Sequence, residues 1–435
     1  MGATLIVRGA RLATMAGPQA APGEAPLGMI DDGALLADGP RISWVGRSVD
    51  LPAALQGLGG AAPGALLLEA GGALLAPGLV EPHTHLLFAG DRSGEHAQRL
   101  AGKSYLEIAA AGGGIRATVR ATALAPDEAL VLGARARLAR LVAGGVTTAE
   151  VKSGYGLSVA AELRLLRLIR AAGEGAGCEV VPTLLGLHAV PEASLSASER
   201  LQTVAREAWV QSVVHELTPE AARLGLARGC DAFCERGAFT PDECAAALRA
   251  GVDAGLVPHL HADQLTAGGG ALLAARLGCA SADHLERTDR AGAEALAAAG
   301  CAAVLLPLAA WFLREQQPAQ GPLFLAAGAT VALGGNLNPG TQRIEGTSLL
   351  LAAGCLLAGL TPAQSLWACT RGGALALRLP DRGRLAAGLR ADLVLFAAPG
   401  ADHLAWHAGV DHARLVIREG RVVLDRRAEE PLLCG

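Results

Sequence analysis

The sequence is short of the signals that would place it in several large functional classes. Only two of its 435 residues are lysines, Lys103 and Lys152, and the net charge is −4, so there is no basic patch to hold nucleic acid. Arginine and alanine dominate instead, a background bias rather than a functional one. There is no Cys-x-x-Cys. Nine cysteines (178, 230, 234, 244, 279, 301, 355, 369 and 434) are odd in number and scattered. That suits small buried thiols in a reducing cytoplasm better than a redox pair or a cysteine metal site. No charged N-terminal segment leads into a continuous apolar run, so a signal peptide is not expected. Ala295 to Leu313 is uncharged, but Gly300 and Pro307 interrupt it. It reads as a helix end running into a buried strand, not as a membrane span. Ala101-Gly-Lys-Ser104 has the tail of a phosphate-binding loop, yet Ala97 stands where its first glycine belongs, and that motif is excluded.

Apolar residues make up 51 % and charged residues 18 %, a globular composition. Both ends are rich in short β-type runs: Thr4 to Arg8 and Ile42 to Val45 at one end, Ala391 to Phe396, Arg414 to Arg418 and Gly420 to Leu424 at the other. Their shared texture suggests that residues 1–76 and 380–435 meet in one small β-sandwich domain, with a turn-rich insert at Gly17 to Gly28. Between them, apolar runs alternate with helical stretches such as Pro126 to Val142 and Ala160 to Ala172. The runs are Leu79–Leu87, Val146–Lys152, Glu179–His188, Cys230–Cys234, Val257–His261, Ser281–Leu285, Ala302–Leu308 and Thr330–Leu333. Eight such βα units argue for an α/β fold, a closed (β/α)8 TIM-like barrel over residues 77–379, with its site at the C-terminal strand ends.

Polar residues gather at that end. His83 and His85 close the first run, Lys152 the second, His188 the third and His261 the fifth. Glu235 follows the fourth run, His284 lies near the end of the sixth, and Asn336 follows the eighth. Side chains at i and i+2 of a strand share a face, so His83 and His85 project together, and two such imidazoles chelate zinc or iron. A bare His-x-His is as readily a polar strand end; the repeated placement at one end of the runs decides for a metal site. His96, His215, His403, His407 and His412 fall outside this set and read as surface or structural residues. The long connection from Ala89 to Gly145 has the length of a lid.

With these motifs assembled, the chain resembles the amidohydrolase superfamily and, within it, the imidazolonepropionase family. The likeness rests on Pro77 to Arg92 (PGLVEPHTHLLFAGDR), Gly145 to Gly156 (GVTTAEVKSGYG), His261-Ala-Asp-Gln264, Ser281 to Glu286 (SADHLE) and Asn338-Pro-Gly-Thr341. The resemblance implies metal-dependent hydrolysis of 4-imidazolone-5-propanoate to N-formimidoyl-L-glutamate, a cytoplasmic step of histidine degradation. It implies His83, His85 and His261 as ligands of one zinc or iron ion. It implies Arg92, Tyr155, His188, Gln264, Asn338, Gly340 and Thr341 as substrate contacts, and His284, with Gln264 and His188, as catalytic. The substrate is a small molecule with a carboxylate tail, which a guanidinium or a phenol hydroxyl can hold. Nucleic acid and membrane are not expected as partners; a homodimer is a base-rate expectation.

One position departs from the family pattern. Asn336 stands where an aspartate is usual, and Gly335 replaces a small hydroxyl residue before it. An asparagine amide binds metal weakly and cannot act as a base near pH 7, which leaves Asn336 a doubtful fourth ligand. Three readings stay open: a working enzyme with His284 as base, a related cyclic-amide hydrolase or deaminase with another substrate, and a weakly active or ligand-binding relative.

Overall fold

The structure, a computed structural model, describes residues 2–103, 107–108, 111–191 and 199–428. Cys434 and Ser104 lie outside the described residues. The N-terminal strands are β1 (Ala3–Ala13), β2 (Met29–Asp38), β3 (Arg41–Arg47), β4 (Ala61–Glu69) and β5 (Leu74–Pro77). In β1, Leu5 and Val7 and then Ala10 and Leu12 face one core. Their parity changes at a register shift between Val7 and Ala10, where Gly9 has φ +63°. A bulge there, with one extra residue, keeps the apolar face inward.

The barrel strands follow: β6 (Leu79–Glu81), β7 (Val146–Lys152), β8 (Glu179–Leu187), β9 (Gly229–Cys234), β10 (Val257–Ala262), β11 (Ser281–His284), β12 (Ala302–Leu305) and β13 (Val331–Leu333). Each pairs with the next in parallel, and the intervening helices cover the outside. A bridge from Thr84 to Leu337 joins the first strand's extension to the last and closes the ring. Burial on both faces explains why these runs read as nearly continuous apolar stretches. Local signals start the helices: Thr240 and Glu243 form a capping box ahead of Pro241–Asp253, and Ser158 caps Val159–Gly173.

Two expected runs overreach. The first strand ends at Glu81 because Pro82 has no N–H to continue the ladder, so His83 and His85 lie just beyond it. The seventh ends at Leu305, since Pro307 opens the short helix Pro307–Phe312. Together with Arg290–Ala299 and β12, that helix accounts for the uncharged Ala295–Leu313 stretch. Among the described residues no helix is long and apolar enough to cross a membrane.

At the C-terminal end, β14 (Leu393–Phe396), β15 (Ala413–Arg418) and β16 (Arg421–Asp425) join the N-terminal strands. The two ends form one mixed sheet, in the order β16-β15-β14-β5-β1-β2-β3 with β4 also on β1. That sheet coils until the β2–β3 hairpin meets the chain before β14. The Ala391 N–H donates to Pro40 O, and the Ile42 N–H to Leu389 O, each at 2.8 Å. The sandwich-like core is thus wrapped by a single ladder. The Gly17–Gly28 insert docks it to the barrel: the buried Gln19 amide donates to Val331 O (2.8 Å) and accepts from Val331 N (2.9 Å).

Candidate active site

His83 and His85 are held from both sides. The His85 N–H donates to Leu337 O (3.0 Å), Asn336 N–H to His83 O (2.9 Å) and Lys152 N–H to Thr84 O (2.9 Å). Their side chains then converge with His261 from the end of β10. The His85 Nε2 lies 3.2 Å from His83 Nε2 and 3.3 Å from His261 Nε2. His284 completes a second grouping, with one ring nitrogen each from His83, His261 and His284 within 4.8 Å of one another.

The opposite edges of two of these rings are fixed by carboxylates. His83 Nδ1 donates to Asp283 Oδ2 at 2.6 Å, and His261 Nδ1 is 2.9 Å from Asp231 Oδ2. A proton on each Nδ1 leaves the Nε2 lone pairs facing one another. His85, whose Nδ1 has no hydrogen-bond partner among the described residues, completes a set of three Nε2 atoms with room to share one cation. Their spacing matches the ~3.3 Å expected for nitrogens each ~2.0–2.1 Å from one tetrahedral ion. Burial drives His83 and His85 well below the usual imidazole range, so both are neutral donors. The donor set therefore fits a divalent borderline metal, with the carboxylates orienting the ligands.

Beneath it lies a wholly buried ionic cluster. Lys152 Nζ is 2.8 Å from Glu150 Oε1, 2.8 Å from Asp231 Oδ2 and 3.6 Å from Asp283 Oδ2. Burial pushes the Asp231 carboxyl up, but His261 and Lys152 outweigh it and hold it well below the carboxylate range. Burial works against the Lys152 charge as well, and its three carboxylate neighbours keep it protonated. Glu81 sits apart, accepting from the His83 N–H (2.9 Å) and the Gly335 N–H (2.9 Å). Burial raises its carboxyl to about 8 despite those two hydrogen bonds.

The other expected residues divide. His188 stacks on His85 (centroids 4.9 Å, interplanar 17°), donates from Nδ1 to Gly154 O (3.0 Å), and is driven down to about 3 by burial and by His261. The buried Tyr155 ring lies 5.3 Å from His188 and 6.2 Å from His85. Its loop is held by Glu162, which accepts from the N–H groups of Gly154, Gly156 and Leu157. Arg92 lines a cleft of ≈ 170 Å³ with His96, Arg99, Phe312, Gly340 and Arg343, and Glu95 holds its guanidinium at 2.8 Å. Gln264 is half-buried in the loop after β10, which Glu235 secures by accepting from Leu265 N–H (2.8 Å).

Asn338 and Thr341 are occupied within their own turn. Asn338 Oδ1 accepts from Gly340 N–H (2.9 Å) and Thr341 N–H (2.8 Å), while its amide donates to Asn336 O (2.7 Å), Asn336 Oδ1 (3.1 Å) and Thr341 Oγ1 (2.8 Å). Among the described residues, Asn336 Oδ1 accepts only that 3.1 Å bond and keeps a second lone pair. Asn338, expected as a substrate contact, also ties the 336–341 loop together through these bonds.

A comparison with known proteins gives the geometry its context. The amidohydrolase family model matches residues 357–424. The imidazolonepropionase of Anaeromyxobacter dehalogenans (strain 2CP-1) is 50 % identical over 423 residues, covering 97 % of this chain and 96 % of that protein. That of Myxococcus xanthus is 48 % identical over 389 residues, 89 % of each. The chain belongs to the imidazolonepropionase family. A solved mutant atrazine chlorohydrolase from Arthrobacter aurescens, complexed with zinc and atraton, aligns with TM-score 0.68 at 19 % identity over 97 % of this chain and 95 % of that one. At that identity the likeness concerns the fold.

Asp231, Asp283, Glu150, Glu81, His259 and Arg99 were not singled out by the motifs. A signal existed for three of them, Glu150, His259 and Asp283. Strands buried on both faces should be apolar throughout, yet Glu150 and Lys152, His259 and His261, and Ser281 and Asp283 each recur at i, i+2. Period-2 polarity in a buried strand marks a polar barrel interior.

Proposed function

We propose that the chain hydrolyses 4-imidazolone-5-propanoate to N-formimidoyl-L-glutamate, a step of histidine degradation, and that it works in the cytoplasm with one zinc or iron ion held by His83, His85 and His261. The convergence of three neutral imidazoles, two of them pinned by Asp283 and Asp231, carries this reading. When bound, the ion supplies Lewis acidity and lowers the pKa of water toward ~7. Water adds its oxygen to the ring carbonyl carbon, the C–N bond breaks, and a proton passes to the departing nitrogen.

The chain's own residues take the remaining roles. His284, beside His261 and His83 (centroids 5.4 and 5.7 Å), moves that proton. His284 and Leu285 hold φ of +82° and +71°, sparsely populated conformations that cluster at functional sites. Tyr155, which burial keeps protonated, and His188 wall the ring. The cleft lined by Arg92, Arg99 and Arg343 suits the propionate tail.

Purified protein replete with zinc or iron is expected to consume imidazolonepropionate. Asn336→Asp fits the same hydrogen bonds and adds a base, so it should raise kcat by up to ~10²–10⁴-fold. If neither protein consumes the substrate, the assignment is wrong. Consumption by the variant alone would make the wild type a ligand-binding relative.

A further inference from the structure

The excursion between β14 and β15 carries three histidines that the barrel chemistry does not use. His403 lies on the helix Ala401–Trp406, His407 caps that helix by donating its N–H to His403 O (2.9 Å), and His412 immediately precedes β15. Residues four apart on a helix share a face, which brings His403 and His407 together. Buried Ala401 and Leu404 anchor the helix in the main core, and Gly409 N–H donates to Ser348 Oγ (3.2 Å). The return of the chain then sets His412 against both. The three rings have centroid separations of 5.5, 5.3 and 5.0 Å, and one ring nitrogen from each lies within 4.8 Å of the others.

We propose that His403, His407 and His412 form a second metal site, outside the barrel, for a borderline divalent cation such as zinc, copper or nickel. Three imidazoles without a carboxylate select such ions over calcium or magnesium. His412 Nε2 donates to His407 O at 2.8 Å, which fixes its tautomer and leaves Nδ1 as the lone-pair nitrogen. That is how metal-binding histidines are commonly oriented. The gradation of burial also fits: His412 is 5 % exposed, His403 intermediate and His407 exposed. Two ligands are held by the fold, and the third swings in solvent to draw the nitrogens to the ~3.3 Å spacing of a tetrahedral ion. Packing does not require a ring at position 407, since that side chain faces water.

Trp406 provides a reporter, being 82 % exposed with its ring 6.1 Å from both His403 and His407. Equilibrium dialysis of the folded protein against zinc should show one ion fewer per chain for His407→Ala than for wild type, whatever the occupancy of the barrel. Copper(II) should quench part of the tryptophan fluorescence of wild type. His407→Ala should lose that quenching, and Trp406→Phe should lose it while keeping the ion. His215→Ala, a control at another exposed histidine, should keep both. An unchanged zinc count in His407→Ala, or quenching that survives it, overturns the site.

Discussion

Gly340 has no side chain, and Arg92 uses the vacant space. A Cβ at position 340 would stand 2.2 Å from Arg92 Nη1 and 2.6 Å from its Cζ. The glycine in the Asn-Pro-Gly-Thr turn is therefore a seat for the guanidinium. Gly340→Ala should push Arg92 out of the cleft and raise KM for imidazolonepropionate roughly 10-fold or more, the worth of a charge-assisted hydrogen bond, with a smaller effect on kcat. Steady-state kinetics beside Arg92→Ala checks this; an unchanged KM in both variants removes Arg92 from the substrate tail. At this scale the sequence was partly legible. Arg92 was expected to hold a carboxylate, but its pairing with Glu95 and its packing on Gly340 needed the loop around position 340 to arrive from far along the chain. Arg99, in the last turn of the helix Ser93–Leu100 that Arg92 precedes, donates to Gly340 O (2.7 Å). No motif marked it.

Among elements, the loop after β6 and the loop after β13 act as one unit. Glu81 bridges them by accepting from the His83 and Gly335 N–H groups, and a Cβ at 335 would stand 2.8 Å from its Oε2. The sequence departure at Gly335 thus has a partner in Glu81, whose carboxyl fills the space a side chain would take. Gly335→Ala is expected to destabilise the protein by ~1–3 kcal/mol through overpacking, and to weaken metal binding by tilting His83. Glu81→Asp, one methylene shorter, should restore part of both losses in the double variant. Urea denaturation and zinc affinity of the two single variants and the double test the coupling, and strictly additive losses would refute it. The strands and helices themselves were well marked by apolar periodicity and by caps. Boundaries failed where proline intervened, at Pro82 and Pro307, because a missing N–H ends a ladder that the apolar pattern continues.

Over the whole molecule, the barrel interior is divided, with apolar side chains such as Val304 and Leu306 on one side and a charge cluster from β7, β9 and β11 on the other. Lys152 is the central cation for Glu150, Asp231 and Asp283, and two of those carboxylates orient His261 and His83. Lys152→Met would leave buried carboxylates uncompensated. A loss of roughly 3–5 kcal/mol is expected, together with ~10–100-fold weaker metal binding as the orienting carboxylates lose their position. Chemical denaturation and metal titration measure the two effects. Near-normal stability with weakened metal binding would mean that the cluster serves the site alone, and near-normal values of both would show that Lys152 is not its keystone.

Much of this protein is written locally. Apolar runs alternating with helical stretches define a parallel barrel, because each strand needs a neighbouring strand at both edges for its backbone and a helix over its outer face, and β-rich ends flank it. His83 and His85 are legible as a pair because the two-residue strand period places them on one face. Tertiary structure decides which nitrogens meet. The Asp283–His83 and Lys152–Asp231 contacts join residues 200 and 79 positions apart, and only barrel closure brings them into one desolvated space. There, proton positions, charges and ligand geometry depend on neighbours from other strands, which no single stretch of sequence contains.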